Sequence, residues 1–152
     1  MMTHSVRPQM DRHQRARRPA CVGLAVSAPG GAVLWELAVT YIISDQCIDE
    51  KDGSCVNVCP VDCIYEGSRK RYIQPEECIE CGACLPECPY DAIIGPDEDQ
   101  PAQWVQDNAA FFSLTLPGRA GPLGSPGGAD PIGPAEADTP LVAGWPAADK
   151  AV

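Results

Sequence analysis

Eight of the nine cysteines in this 152-residue chain lie between residues 47 and 88, and their spacing suggests metal chemistry. The run CIECGACLPECP, residues 78–89, has the spacing C-x2-C-x2-C-x3-C-P. The run CIDEKDGSCVNVCP, residues 47–60, has C-x7-C-x3-C-P, with one cysteine fewer and two residues more. Closely spaced thiols suit one metal centre better than disulfides, and nine cysteines cannot all pair with one another. The pattern predicts thiolate ligation of metal in a reducing compartment, which we expect to be the cytoplasm.

The two cysteine runs belong to an internal duplication. Residues 41–50 (YIISDQCIDE) align with residues 72–81 (YIQPEECIEC) at an offset of 31, and residues 55–67 align with residues 84–96 at an offset of 29. Each copy predicts a short strand, a cysteine loop, a short helix, Cys-Pro-x-Asp and a second short strand. The alignment places Glu50 opposite Cys81, and Cys63 opposite Ala92. The first copy therefore lacks one thiol.

These spacings favour iron–sulfur clusters. Cysteines at i, i+3 and i+6 can direct three thiolates at three corners of one cluster, and Gly82 lets that loop curl. In bacterial runs of this type the fourth cysteine, the one before proline, binds the other cluster. The prediction is one cluster on Cys59, Cys78, Cys81 and Cys84, and one on Cys47, Cys55 and Cys88. Zinc is the main alternative, although zinc sites favour two separated cysteine pairs.

Residues 40–98 resemble the bacterial seven-iron ferredoxins in both motifs, and the segment DNAAFF…LPGR…PLGSPGGA resembles their actinobacterial members. The resemblance implies an α+β ferredoxin-type fold with pseudo-two-fold symmetry. It implies a [3Fe-4S] cluster on the three-cysteine set and a [4Fe-4S] cluster on the four-cysteine set. Many members carry a non-ligating cysteine where this chain has Glu50.

Other residues near the cysteines have structural interpretations. Cys63 is expected to be a buried free thiol near the four-iron site. Glu50 is a weak candidate ligand for a fourth iron, because the two-residue insertion displaces it and carboxylates are harder ligands than thiolates. Tyr65 and Tyr90 are expected to shield the cysteines. Strand residues expected to pack over the clusters are Tyr41, Ile43, Ile64, Tyr72, Ile73, Ile93 and Ile94.

Composition divides the chain into three parts. Residues 39–100 form the expected two-cluster domain. Residues 101–152 start with PAQWVQDNAAFFSLTL, which predicts a helix whose Trp104, Val105, Phe111 and Phe112 cover the core. The rest of that segment is so rich in Pro and Gly that we expect an irregular tail. No stretch has the roughly 20 apolar residues that a membrane-spanning helix needs.

Residues 1–38 are expected to be disordered or to come from a mispredicted gene start. Their basic start, Arg17-Arg18 and apolar run resemble a secretory or Tat signal, but the run is interrupted and no clear cleavage site follows. The codons for Trp35-Glu36 would supply GGGA, a ribosome-binding sequence. Two further codons separate it from Val39, which GTG could encode as a start. Cys21, His4 and His13 lie in this part and are not expected to be ligands.

Charge and motifs indicate an electron-transfer protein and not an enzyme. Residues 39–100 carry four Lys/Arg and fourteen Asp/Glu, which disfavours nucleic acid and favours partners with a basic docking surface. No Ser-His-Asp set or phosphate-binding loop is apparent. By family analogy the partners are a reductase, a cytochrome P450 or a 2-oxoacid oxidoreductase. The alternatives are an iron or oxygen sensor and a dedicated subunit of a larger oxidoreductase.

Overall fold

The computed structural model describes residues 40–147, so the predictions for residues 1–38, including Cys21, His4 and His13, lie outside the described part. Four strands, three helices and two 3-10 turns follow one another along this range. In chain order they are β1 (Ile42–Ile43), a turn at Asp45–Cys47, α1 (Ser54–Asn57), β2 (Ile64–Glu66), β3 (Arg71–Ile73), a turn at Leu85–Glu87, β4 (Ile93–Ile94), α2 (Ala102–Ser113) and α3 (Pro140–Ala143). This is an α+β arrangement of short elements.

The four strands form two antiparallel pairs. Strands β2 and β3 make a hairpin in which Ile64 lies opposite Ile73. Strands β1 and β4 pair with Ile43 opposite Ile93, so the start and the end of the cysteine region meet. The Ser44 backbone N–H and hydroxyl both donate to the Ala92 carbonyl, at 2.8 and 3.0 Å, and extend this contact. The two cysteine loops are therefore held between the strand pairs.

Alternation along the strands divides the interior into two cores. The thiol core contains buried cysteines together with Ile43, Ile64, Ile73 and Ile93. The helix core contains Ile42, Tyr65 and Tyr72 packed with Trp104, Phe111 and Phe112 of α2. Successive strand side chains point to opposite faces, so neighbours such as Tyr72 and Ile73 enter different cores.

Three predicted positions need correction. Tyr72, Ile94 and Tyr65 were expected beside the cysteines, but they pack in the helix core. The sequence alignment pairs Tyr41 with Tyr72, whereas Tyr41 packs on the thiol core. The strand residue that enters the thiol core is Ile73 in the second copy, five residues before Cys78, and Ile43 in the first copy, four residues before Cys47. The two strands are therefore offset by one residue relative to the sequence alignment. A one-residue shift in a strand reverses the face of every side chain.

Helix α2 follows Pro101 and buries one side against the hairpin. Trp104, Phe111 and Phe112 are buried, and Val105 packs partly on the same core. Phe111 stacks on Tyr72 with ring centroids 3.9 Å apart, and Phe112 meets Tyr65 edge-on at 5.1 Å. Such aromatic contacts supply much of the apolar burial of a small domain.

The segment after α2 packs back on the hairpin. Its backbone is largely irregular in the described range and includes the four-residue helix α3, capped by the Thr139 side chain. Leu116, Ala137 and Val142 are buried in the helix core. The Ala135 N–H donates to the Glu66 carbonyl, and the Ala129 N–H to the Asp62 carbonyl.

Within residues 40–147, no helix has both the length and the apolar character needed to cross a membrane.

Candidate metal centre

The loop from Cys78 to Cys84 has a tightly curled backbone. Glu80 and Gly82 have positive φ angles of 55° and 73°. A Cβ placed on Gly82 would lie 2.9 Å from the Tyr41 hydroxyl oxygen, closer than side chains normally approach. Glycine therefore serves both the left-handed conformation and the close contact with Tyr41. The Cys78 N–H donates to the Gln74 carbonyl at 3.0 Å and ties the loop to the end of β3.

Five cysteines line one cavity inside this loop. Cys78, Cys81 and Cys84 come from the loop itself. Cys59 and Cys63 come from the first repeat, where Cys59 follows helix α1. The remaining wall is largely apolar and includes Ile64, Ile73 and Tyr41. The structure thus groups Cys59 with the three thiols of the other repeat.

The three remaining cysteines lie in the thiol core. Cys47 ends a 3-10 turn, Cys55 lies in helix α1, and Cys88 follows the turn at Leu85–Glu87. Cys47 and Cys55 are buried, and Cys88 is partly buried against them. Helix α1 packs against the Leu85–Glu87 turn, which brings Cys88 of the second repeat to the first-repeat pair.

Burial and neighbouring thiols shift the acidity of these cysteines. Burial is the main cause that raises the pKa of Cys55 to about 11, opposed by the Arg71 guanidinium and assisted by Cys47 and Cys88. Burial likewise raises the pKa of Cys84 to about 12. In the metal-free chain these two thiols are therefore protonated at neutral pH, and ligation would release their protons.

Cys63 lies among the thiols that line the cavity. A hydrogen bond with Cys78 is the largest cause that raises the pKa of Cys63. The same bond is the first cause that lowers the pKa of Cys78 to about 5. The Cys63 and Cys59 sulfurs are 3.6 Å apart. Cys63 is thus buried beside the four-cysteine set, as expected for a free thiol.

Sequence reasoning missed several contacts around the centre. Tyr41 packs on the thiol core as expected, and its hydroxyl also lies against the curled loop at Gly82. Glu50 accepts a hydrogen bond from the Tyr90 hydroxyl, and that bond is the largest cause raising the pKa of Tyr90. The buried ion pair of Lys70 with Asp107 was also not anticipated. These contacts join residues far apart in sequence, so no local pattern signals them.

Thiols around a largely apolar cavity fit the ligand set of an iron–sulfur cluster. Within residues 40–147, no group of three or more His, Cys, Asp or Glu side chains is arranged to hold one ion. A tetrahedral zinc site needs four ligands converging at about 2.0–2.3 Å on one point. A cluster has several metal corners, so its thiolates surround a volume, as Cys59, Cys78, Cys81 and Cys84 do around the cavity.

Comparisons with known proteins agree with this chemistry. Residues 29–93 match the family model for a 4Fe-4S dicluster domain. A ferredoxin of Mycobacterium tuberculosis is 56% identical over 110 residues, covering 71% of this chain and 96% of that protein. A ferredoxin of Streptomyces griseus is 49% identical over 110 residues, covering 70% of this chain and 96% of that protein. Ferredoxin-1 of Caulobacter vibrioides is 50% identical over 77 residues, covering 50% and 68%.

These relatives confirm the resemblance predicted from the two cysteine motifs. The chain therefore belongs to the ferredoxin family, where it groups with the actinobacterial members.

Proposed function

We propose that this ferredoxin is a one-electron carrier with one [3Fe-4S] and one [4Fe-4S] cluster. The three-iron cluster is assigned to Cys47, Cys55 and Cys88. The four-iron cluster is assigned to Cys59, Cys78, Cys81 and Cys84. The observation that carries this assignment is the cavity that groups Cys59 with the loop of the other repeat. The missing thiol opposite Cys81, where Glu50 stands, supports a three-iron cluster in the first set.

When bound, an iron–sulfur cluster would store one electron with little change in its geometry. The chain supplies thiolates, an apolar wall and N–H donors to sulfur. The Cys63 N–H lies 3.4 Å from the Cys59 sulfur, and the Ala92 N–H lies 3.4 Å from the Cys88 sulfur. The Arg71 N–H donates to the Cys47 sulfur. Such hydrogen bonds stabilise negative charge on sulfur and influence the reduction potential.

We infer that the cysteine region has pseudo-two-fold symmetry. The N–H-to-sulfur bonds of Cys59 and Cys88 occupy equivalent places in the two repeats. Left-handed backbone conformations also recur at equivalent places, in the pairs Asp49 and Glu80, Lys51 and Gly82, and Asp62 and Asp91. Three matched departures from ordinary backbone geometry support a duplicated cysteine loop.

We also propose that the partners are redox proteins with a basic docking surface, acting in the cytoplasm. The support is the charge of residues 39–100, which carry four Lys/Arg and fourteen Asp/Glu. By family analogy, a reductase, a cytochrome P450 and a 2-oxoacid oxidoreductase are the candidates. Electrostatic complementarity of this kind accelerates encounter between partners and weakens with salt.

Electron paramagnetic resonance of anaerobically purified protein tests the cluster assignment. We expect an oxidised three-iron signal as isolated, a four-iron signal after reduction, and about seven iron atoms per chain. Cys88→Ser should remove the three-iron signal selectively. Because Cys63 lies 3.6 Å from Cys59, it could replace Cys59 as a ligand, so the double variant Cys59→Ser/Cys63→Ser should remove the four-iron signal.

Cys63→Ser alone is the matched control and should keep both signals. If the Cys59→Ser/Cys63→Ser variant lost the three-iron signal and kept the four-iron signal, Cys59 would not be a ligand of the cluster held by the second-repeat loop. That result would contradict the assignment. Stoichiometric zinc in a colourless protein would contradict the cluster proposal itself.

A further inference from the structure

The candidate centre reaches the surface at one end of the four-cysteine set. Among the eight cysteines of the described range, Cys81 is exposed, while the others are buried or partly buried. Electron transfer between proteins weakens steeply with distance between the centres. A partner that exchanges electrons with the four-cysteine set therefore gains most by contacting the protein at Cys81.

An exposed apolar side chain lies next to Cys81. Ile79 is 60% exposed, and it lines the same cavity as Cys78 and Cys81. Single exposed apolar residues are common on protein surfaces and need no explanation. Ile79 differs because it connects the thiol-lined cavity directly to the surface.

The charges around this loop are unbalanced. Residues 72–118 contain nine Asp/Glu and no Lys or Arg. The four Lys/Arg of residues 40–100 lie elsewhere, at position 51 and at positions 69–71, and each pairs with a carboxylate. Glu76 and Glu80, which flank Ile79 in the chain, are exposed and have no ion-pair partner within residues 40–147. An apolar contact at Ile79 would thus be flanked in the chain by two exposed carboxylates.

We propose that the exposed residues of the 76–81 loop, Glu76, Ile79, Glu80 and Cys81, form the surface on which a basic redox protein docks. This inference rests on the proposed electron-carrier function. The partner presents an apolar contact to Ile79 and Lys or Arg side chains to Glu76 and Glu80. One electron then passes between this protein and the partner's redox group, oxidising one and reducing the other. Apolar centres with a charged rim are typical of protein interfaces.

Mitochondrial cytochrome c, a small basic haem protein, is the probe for this surface. Calorimetry of the oxidised holoprotein with ferricytochrome c at low ionic strength measures binding without electron transfer. We expect Glu80→Gln to raise the dissociation constant about two- to fourfold, because one unit of complementary charge is lost. Glu136→Gln is the matched control, since Glu136 is also exposed and lies in the C-terminal segment. The control should change the dissociation constant by less than the Glu80 variant does.

Ile79→Ser tests the apolar contact separately. It should also weaken cytochrome c binding, and Leu141→Ser is its control, because Leu141 is an exposed apolar residue of α3. Equal effects of each variant and its control would overturn the proposal, since net charge or surface hydrophobicity alone would then explain binding. Absence of measurable complex formation with the unmodified protein at low salt would overturn it as well.

Kinetics provide a second readout with an internal check. In one reaction, the reduced protein transfers one electron to cytochrome c and converts ferric haem to ferrous haem. In a separate reaction, the reduced protein transfers one electron to the anionic ferric EDTA complex. Glu80→Gln should slow the reaction with cationic cytochrome c and accelerate the reaction with the anion. A change in cluster potential would instead shift both rates in the same direction, and that result would count against docking. A protein that reduces neither oxidant lacks the proposed function, while the calorimetric comparison still decides the docking surface.

Discussion

Lys70 and Asp107 form an ion pair whose side chains are both fully shielded from solvent, with 2.8 Å between Nζ and Oδ2. Lys70 also lies 4.1 Å from the Tyr72 ring centroid, and the Thr139 hydroxyl donates to the other Asp107 oxygen. Burial lowers the pKa of Lys70, and the Asp107 carboxylate opposes that shift. Each charge in the helix core therefore depends on the other for compensation.

Replacing one partner of this ion pair should lower the stability of the protein more than replacing both partners. Asp107→Ala leaves the Lys70 ammonium buried and unpaired, and we expect a loss of about 3–5 kcal/mol in stability. The double variant Lys70→Met/Asp107→Leu should recover most of that loss, because no buried charge remains. The measurement is the urea midpoint of the holoprotein under anaerobic conditions. A double variant less stable than Asp107→Ala would show that the pair itself is strongly stabilising.

At the scale of elements, helix α2 completes the hydrogen bonding of strand β3. The hairpin leaves the Ile73 N–H and carbonyl pointing away from β2. The Asn108 side chain serves both: its Oδ1 accepts from the Ile73 N–H at 2.9 Å, and its Nδ2 donates to the Ile73 carbonyl. Buried backbone groups at a strand edge need such partners. Because Ile73 lines the thiol cavity, α2 also fixes one wall of the candidate centre.

Asn108→Ala should destabilise the protein by removing this contact. Two backbone groups of Ile73 would lose their partners, at about 1–3 kcal/mol for each buried group left unsatisfied. Gln106→Ala on the exposed side of the same helix is the control and should change the urea midpoint little. Hydrogen exchange at the Ile73 amide provides a local check, and we expect it to accelerate in the Asn108 variant alone. Unchanged exchange would contradict the proposed bridge.

At the scale of the whole molecule, residues 117–147 form a strap, a C-terminal segment that packs across the β2–β3 hairpin. Glu77 accepts from the Ser125 hydroxyl and the Gly127 N–H, at 3.0 and 2.7 Å. Asp138 accepts from the Arg69 N–H at 2.8 Å, and the Arg69 guanidinium donates to the Val142 carbonyl at 2.8 Å. The strap covers Tyr65 and Tyr72, which belong to the helix core. The described tail therefore packs against the surface of the domain and buries a few of its own side chains in the helix core.

A chain that ends at Leu116 should therefore be less stable than the full chain. It loses the burial of Ala137 and Val142 and the polar contacts of Arg69 and Glu77 with the strap. Burial of Val142 alone is worth about 1.5–3 kcal/mol, so we expect a total loss above about 3 kcal/mol. A chain that ends at Ala147 is the control. Equal urea midpoints for the two shortened chains would show that the strap contributes nothing to stability.

The sequence by itself determined the chemistry and the family, because ligand type and spacing are local properties. Cysteines at i, i+3 and i+6 followed by Cys-Pro predicted thiolate ligation of clusters, and the same motifs predicted the ferredoxin family that the relatives confirm. The individual ligand assignments stay a prediction. Tertiary structure decided which face each strand residue occupies, since Tyr41 and Tyr72 both lie six residues before a cysteine yet enter different cores. It also decided the pairing of Lys70 with Asp107 and the seating of the strap, because such contacts join distant residues and depend on the complete packing of the chain.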